Sequence, residues 1–242
     1  MNTDNLNSDS MFPAAGKVNF SALNAKNDFA TIESFKSLRS NVLFSGADIK
    51  TILVTSTCAS EGKSTVSLEL AKSFSEIDKK TLLLDADMRR SVFLPRNLKT
   101  QNILGLSELL SGQASINQTV FNTSVNNLDI IFSGHFPPNP VELLNSKLFA
   151  EKLEQLKSVY DCIIIDSPPL GIVIDAAIIA ANCDASILVV SPGKSKIKDT
   201  ISVKEQLLKS GSRILGAVIN ETNSRHKDLN GSYQRNYYYN DK

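Results

Sequence analysis

The chain has 242 residues, 42% of them hydrophobic, and a formal net charge of +1 at pH 7. That length fits one α/β domain, or a domain with tails, and the apolar fraction is enough for a sizeable core. Near-neutral charge, 7% aromatics and no Trp leave neither the basic face nor the stacking platform that nucleic-acid binding uses, so no nucleic-acid partner is expected.

Residues 1–28 are rich in Asn, Ser and Asp without periodicity, and are expected to form a mobile arm. The first ten, MNTDNLNSDS, lack a basic segment followed by an apolar one, so they are not a signal peptide. Next, Ile32, Phe35, Leu38, Val42 and Leu43 fall at helical spacing, which predicts an amphipathic helix over 31–44 with Thr31 as its cap. Short apolar runs follow at 52–56, 81–87, 128–134, 162–167, 185–191 and 214–220. Helical patterns such as Val66-Leu70-Phe74-Ile77 and Ile201-Leu207-Leu208 lie between them. Apolar strands alternating with helices predict an α/β fold, a mostly parallel sheet covered on both faces. The stretch around 172–190 carries Asp175, Asn182 and Asp184, so it reads as buried elements and not as a membrane span. The domain is expected over 29–223, and a flexible tail over 224–242.

The cysteines Cys58, Cys162 and Cys183 are odd in number and unpatterned, which points to a reducing compartment. His135 and His226 stand alone and suggest no metal cluster.

The stretch ILVTSTCASEGKST reads as strand, loop and helix, and ends in Gly62-Lys63-Ser64-Thr65. Unpaired N–H groups at a helix N-terminus hold phosphate oxygens. The candidate ATP-binding residues are therefore Thr57, Cys58, Ala59, Ser60, Glu61, Gly62, Lys63, Ser64 and Thr65. Lys63 supplies a point charge for the outer phosphates, and Ser64 a hydroxyl for Mg²⁺. Thr57 stands where the usual pattern has its first Gly. Cys58 lies where a helix N-terminus lowers a thiol pKa, which leaves redox control and a plain small residue as alternative readings.

TLLLDADMRR closes a strand with Asp85 and Asp87, two apart and so on one face. CIIIDSPP closes another with Asp166. Acids at the carboxyl edge of a parallel sheet face the ligand crevice. Asp166 and one of the pair suit Mg²⁺. The other suits a general base that takes a proton from a phenol. The residue types leave open which of Asp85 and Asp87 does which, with Ser64, Asp87 and Asp166 the expected metal set. Arg89 and Arg90 suit phosphates, a subunit contact or a solvated helix start.

The tail holds Tyr233, Tyr237, Tyr238 and Tyr239, four of the five tyrosines. With a nucleotide site and a spare carboxylate upstream, they are the candidate phosphoacceptors.

Together these residues resemble a bacterial tyrosine kinase of the polysaccharide co-polymerase systems, from about Thr31 to the tail. GKST matches Walker A, LLLDADMRR resembles the second acidic motif (Walker A′), and CIIIDSPP resembles Walker B. HFPPNPVELLNS resembles the family's proline-rich segment followed by Glu-Leu-Leu. ESFKSLR resembles its oligomerisation motif Glu-x-x-Arg-x-x-Arg, here Glu33, Lys36 and Arg39.

The resemblance implies a P-loop NTPase-like sheet, use of ATP and Mg²⁺, and autophosphorylation of the tail. It implies a ring-like homo-oligomer in which one subunit's tail enters its neighbour's site. It also implies a transmembrane co-polymerase adaptor that activates the kinase and recruits it from the cytoplasm to the inner face of the membrane. It further implies a tyrosine phosphatase as antagonist, and control of capsule or exopolysaccharide polymerisation and export as the output. With no transmembrane segment ahead of the domain, the adaptor is expected as a separate protein. In related P-loop ATPases an Asn ending the last strand touches adenine, which nominates Asn220.

Three departures from the family stand out: Ala59-Ser60 for Pro-Gly, Lys36 for Arg, and Ser91 for Pro. Two other readings use the same loop. One is a ParA/MinD-like ATPase switch, whose signature Lys stands four residues before Gly62, where this chain has Cys58. The other is a catalytically weak ATP-binding regulator.

Overall fold

The computed structural model describes residues 14–18, 27–93 and 103–221. In chain order these are β1 (Gly16–Lys17), α1 (Phe29–Ser45), β2 (Thr51–Ser56), α2 (Lys63–Ser75), β3 (Thr81–Asp85), α3 (Leu106–Leu110), α4 (Ile116–Thr119) and β4 (Val120–Asn122). They continue as β5 (Leu128–Ile131), α5 (Pro140–Leu144), α6 (Lys147–Lys157), β6 (Cys162–Asp166), α7 (Asp175–Ala180), β7 (Ala185–Val190), α8 (Ile197–Lys209) and β8 (Ile214–Ile219).

One sheet runs β1-β4-β5-β3-β6-β2-β7-β8. Its pairings are parallel except β4 against β5. The apolar runs form strands because both faces of each are covered, which suits branched side chains on a pleated backbone. Alternation sorts them between two cores. Leu53, Leu82, Leu84, Ile163 and Ile165 meet Phe149, Leu153 and Leu207 on one side. Ile52, Val54, Leu83 and Ile164 meet Val66, Leu70, Phe74 and Val42 on the other. The order β3-β6-β2 in mid-sheet brings three strand ends together at one carboxyl edge, and the loop that opens α2 rises from it.

Several boundaries differ from expectation. The N-terminal helix begins at Phe29, because the Asp28 side chain caps it by accepting the Thr31 N–H at 2.8 Å. Within the expected mobile arm, Gly16–Lys17 pairs with β4. Neither β1 nor β4 is long enough to show a pattern of alternation. On α8 the buried face is Val203 and Leu207, while Ile201 and Leu208 are exposed. The stretch around 172–190 forms α7 and β7, and no helix among the described residues is long and apolar enough to cross a membrane. Tyr233, Tyr237, Tyr238, Tyr239 and His226 lie outside the described residues.

Candidate nucleotide and phosphotransfer site

The loop from Thr57 to Gly62 joins β2 to α2 and contains two left-handed residues, Ser60 at φ 64° and Gly62 at φ 86°. Residues in this conformation let successive N–H groups converge on an anion-binding concavity. Gly62 is required twice over. Its φ favours glycine, and a Cβ there would lie 1.9 Å from Asn220 Nδ2. Ser60 has no such dispensation. A left-handed conformation costs an L-residue roughly 1–2 kcal/mol. Ser60→Gly, which restores the family's residue, is therefore expected to stabilise the chain by about 0.5–1 kcal/mol after the entropy of the unfolded glycine is counted. Urea unfolding of both proteins measures it, and an unchanged or lower midpoint would contradict it.

Cys58 is half-buried, and its thiol is pushed upward by desolvation, then by Glu61 and Asp199. Of the two readings left open for Cys58, this favours the plain small residue over redox control. Ala59, Ser60 and Thr65 are exposed, while Thr57 is buried with its hydroxyl 3.2 Å from that of Thr200. Asn220 donates through Nδ2 to the Glu61 carbonyl at 2.9 Å, which sets the end of β8 against the loop.

Lys63 and Ser64 open α2 and point at the acids. Lys63 Nζ lies 3.3 Å from Asp87 Oδ2 and 3.4 Å from Ser64 Oγ. Ser64 Oγ donates to Asp166 Oδ2 at 2.6 Å, and Ser67 Oγ to Asp166 Oδ1 at 3.0 Å. Asp166 and Asp85 are directly opposed across β6 and β3.

Asp85 is wholly buried. Its oxygens accept the Ser91 hydroxyl at 2.5 Å and the N–H groups of Asp87 at 3.2 Å and Ser133 at 3.4 Å. Burial pushes its carboxyl up to about 7, with Asp166 and Asp87 adding to the rise and Ser91 opposing it. Burial likewise raises Asp166 to about 6, against the pull of Lys63 and the two serines. Lys63 faces Asp87 and acts on Asp166, with Asp85 beside them, so three acids meet one lysine and a divalent cation would neutralise the excess negative charge.

Among the described residues no group of three or more His, Cys, Asp or Glu could hold a metal by itself. The donor set is a serine hydroxyl with flanking carboxylates. That suits Mg²⁺, which takes few protein ligands and completes its shell with phosphate and water.

Arg89, for which phosphates, a subunit contact and a solvated position were all open, is paired through Nε and Nη2 with Asp175 at 2.8 and 3.1 Å. Asp175, at the start of α7, gives no sign of this in the local sequence. The Arg90 N–H donates to Asp87 Oδ1 at 2.9 Å. His135 Nδ1 sits 2.9 Å from Glu108. On α1, Glu33 and Lys36 are half-buried and pair with each other at 2.8 Å. Arg39 turns inward, donates to the Ser73 carbonyl and lies 3.9 Å from Glu76.

Residues 49–216, more than half the chain, match the family model for an AAA domain. The chain is 43% identical over 193 residues to the tyrosine-protein kinase CpsD of Streptococcus agalactiae, covering 80% of this chain and 84% of that one. The chain belongs to the bacterial tyrosine kinases. It is an enzyme of that class, a protein-tyrosine kinase on a P-loop NTPase-like sheet. The kinase also superimposes on the chimerical protein CapA2B2 with a TM-score of 0.77 at 31% identity, covering 87% of this chain and 95% of that one. A more distant likeness is MinD of Pyrococcus horikoshii OT3 complexed with Mg-ADP, with a TM-score of 0.59 at 27% identity, covering 70% of this chain and 69% of that one.

Proposed function

We propose that this kinase transfers the γ-phosphoryl group of ATP to Tyr233, Tyr237, Tyr238 and Tyr239 of a neighbouring subunit's tail. In doing so it regulates polymerisation and export of a capsular or exopolysaccharide. A transmembrane co-polymerase adaptor holds it at the inner face of the membrane and activates it, and a tyrosine phosphatase reverses it. Glu33, Lys36 and Arg39 contribute to the ring contact. The tyrosine-protein kinase CpsD and the putative tyrosine-protein kinase CapB among its relatives support the kinase activity in this reading.

The observation that carries the reading is the second acidic pair beside the phosphate loop. Hydrolysis needs a water-positioning group, whereas transfer to a phenol of pKa near 10 needs a proton acceptor as well. Asp87 and Asp166 flank Lys63 and Ser64, so with Ser64 they would hold Mg²⁺. The cation would draw charge from the phosphoryl oxygens as the bond to the leaving oxygen breaks. Loop N–H groups and Lys63 would hold the phosphates, and Asn220 would meet the adenine. Asp85 remains for the base. A carboxyl raised to about 7 is matched to proton transfer near neutral pH. Its oxygens are engaged by Ser91, Asp87 and Ser133, so taking the proton requires the Ser91 hydroxyl to turn away.

The tail also suits a switch. From Asn223 to Lys242 it holds basic Arg225, Lys227, Arg235 and Lys242 against acidic Asp228 and Asp241. Each phosphate adds about −1.5 to −2, which turns a tail attracted to an acidic site into one repelled by it, and so loosens the ring.

Intact-mass analysis after Mg·ATP, with and without the adaptor's cytoplasmic peptide, tests the function. The expected result is phosphate additions that vanish when the four tail tyrosines become phenylalanine. ATP turnover without mass gain, even with the peptide, would instead identify a MinD-like switch. Binding without either would identify a nucleotide sensor.

A further inference from the structure

Glu61 presents a paradox: a carboxylate inside a loop built to hold anions. In the structure the side chain is completely buried. There it binds three donors from two segments. Oε2 accepts the Cys58 N–H at 2.7 Å, within the phosphate loop. Oε1 accepts the Ser191 N–H at 3.2 Å and the Ser195 hydroxyl at 2.8 Å, both from the segment between β7 and α8. The Glu61 carbonyl takes the Asn220 amide from the end of β8.

The same region is laced a second time. Lys194 Nζ donates to the carbonyl of Ser60 at 2.5 Å and pairs with Glu221 at 2.6 Å, while Ser191 Oγ donates to Glu221 at 2.5 Å.

We infer that Glu61 is a positioning residue that sets the distance between the phosphate loop and the nucleoside-side wall formed by residues 191–195 and 220. The inference deepens the proposed function and rests on its nucleotide reading. The physical basis is the number and direction of the donors. A carboxylate offers acceptors on both oxygens, so it can face N–H groups on two sides at once. An amide cannot. In Glu61→Gln the –NH₂ must point at either the Cys58 or the Ser191 N–H, leaving a buried donor unpaired and pushing one segment off the other. This bridge also accounts for a loop that keeps its shape with Ser60 in a left-handed conformation where the family has glycine. Two fastenings, the Glu61 carboxylate and Lys194 on the Ser60 carbonyl, hold it there.

The test is calorimetric titration with Mg·ADP and with Mg·tripolyphosphate, a probe that has phosphates but no nucleoside, well below each variant's melting midpoint. Glu61→Gln is expected to weaken both ligands at least tenfold while circular dichroism shows a folded chain. Ser195→Ala, which removes one donor on the nucleoside side only, is expected to weaken Mg·ADP several-fold and leave tripolyphosphate unchanged. A residue important only for folding would lower the melting midpoint and leave both affinities within twofold, and that outcome overturns the inference. If Glu61→Gln does not fold, the Ser195 variant decides alone, with equal effects on both ligands counting against the bridge. Failure of the unsubstituted kinase to bind Mg·ADP would overturn the nucleotide reading itself, a result distinguishable from the others.

Discussion

Lys63→Met is expected to cut the rate of phosphate incorporation by 10²-fold or more, a loss on the scale of removing one preorganised charge from a transition state. Two consequences combine. On the proposed function, the transferring phosphoryl group would lose the cation that faces it, and the acids would lose their counter-charge. Lys63 stands 3.3 Å from Asp87 and holds down the pKa of Asp166. Without it Asp166 binds its proton more tightly, and Mg²⁺ must compete with that proton. The variant should therefore need more Mg²⁺ at pH 7 than at pH 8.5 to reach its own reduced maximum. Single-turnover mass analysis across Mg²⁺ concentrations at both pH values measures this. A rate within tenfold of the parent would remove Lys63 from the phosphate-binding role.

Asp85→Asn is expected to separate stability from activity. The folded state raises the Asp85 carboxyl to about 7, chiefly by burial, whereas the unfolded chain ionises near the ordinary carboxylate value of about 4. Between those limits the unfolded state releases a proton that the folded state keeps. The contribution of Asp85 to stability is thus complete below about pH 4 and is lost as pH rises through about 7. Asparagine carries no such penalty. Without nucleotide or metal the variant should match or trail the parent at pH 4.5, because its amide cannot serve both the Asp87 and Ser133 N–H groups. At pH 8 it should gain on the parent by about 2–4 kcal/mol relative to that baseline, while phosphate incorporation falls at least 10²-fold. Urea unfolding at the two pH values is the measurement. Parallel curves for parent and variant would mean that Asp85 is ionised without cost in the folded chain.

What could be read from the residues beforehand follows from what local pattern encodes. Ile52–Val54, Leu82–Leu84 and Ile163–Ile165 are continuous apolar runs because both faces of their strands are covered, so the central sheet was legible. The acids closing β3 and β6 were legible as edge residues for the same reason: a charge directly after such a run has only the strand end to occupy. Edge elements were not. Gly16–Lys17 joins the sheet through backbone pairing alone, which leaves no mark on side-chain choice. Glu61 could be placed in the loop, but its direction depends on Ser191 and Ser195, about 130 residues away. The Asp175 partner of Arg89 was hidden in the same way. Ser91 could be noted only as a missing proline, yet its hydroxyl covers the buried Asp85. The tyrosine cluster is a feature of the sequence, and it lies outside the described residues.

The lacing of Glu221 to Ser191 and Lys194 gives the tail a fixed root at the same sheet edge as the acids. A tether with a fixed root has a radius. Tyr233 follows Glu221 by twelve residues and Tyr239 by eighteen, so fully extended chain carries them at most about 40 and 60 Å from it. Under the transfer between subunits proposed above, an acceptor within that reach would be presented at a local concentration on the order of millimolar without any affinity of its own. A site served in this way has little need to read the residues that flank a tyrosine. Under that proposal geography would replace recognition, and the order in which the tyrosines fill would follow their distance along the chain from Glu221.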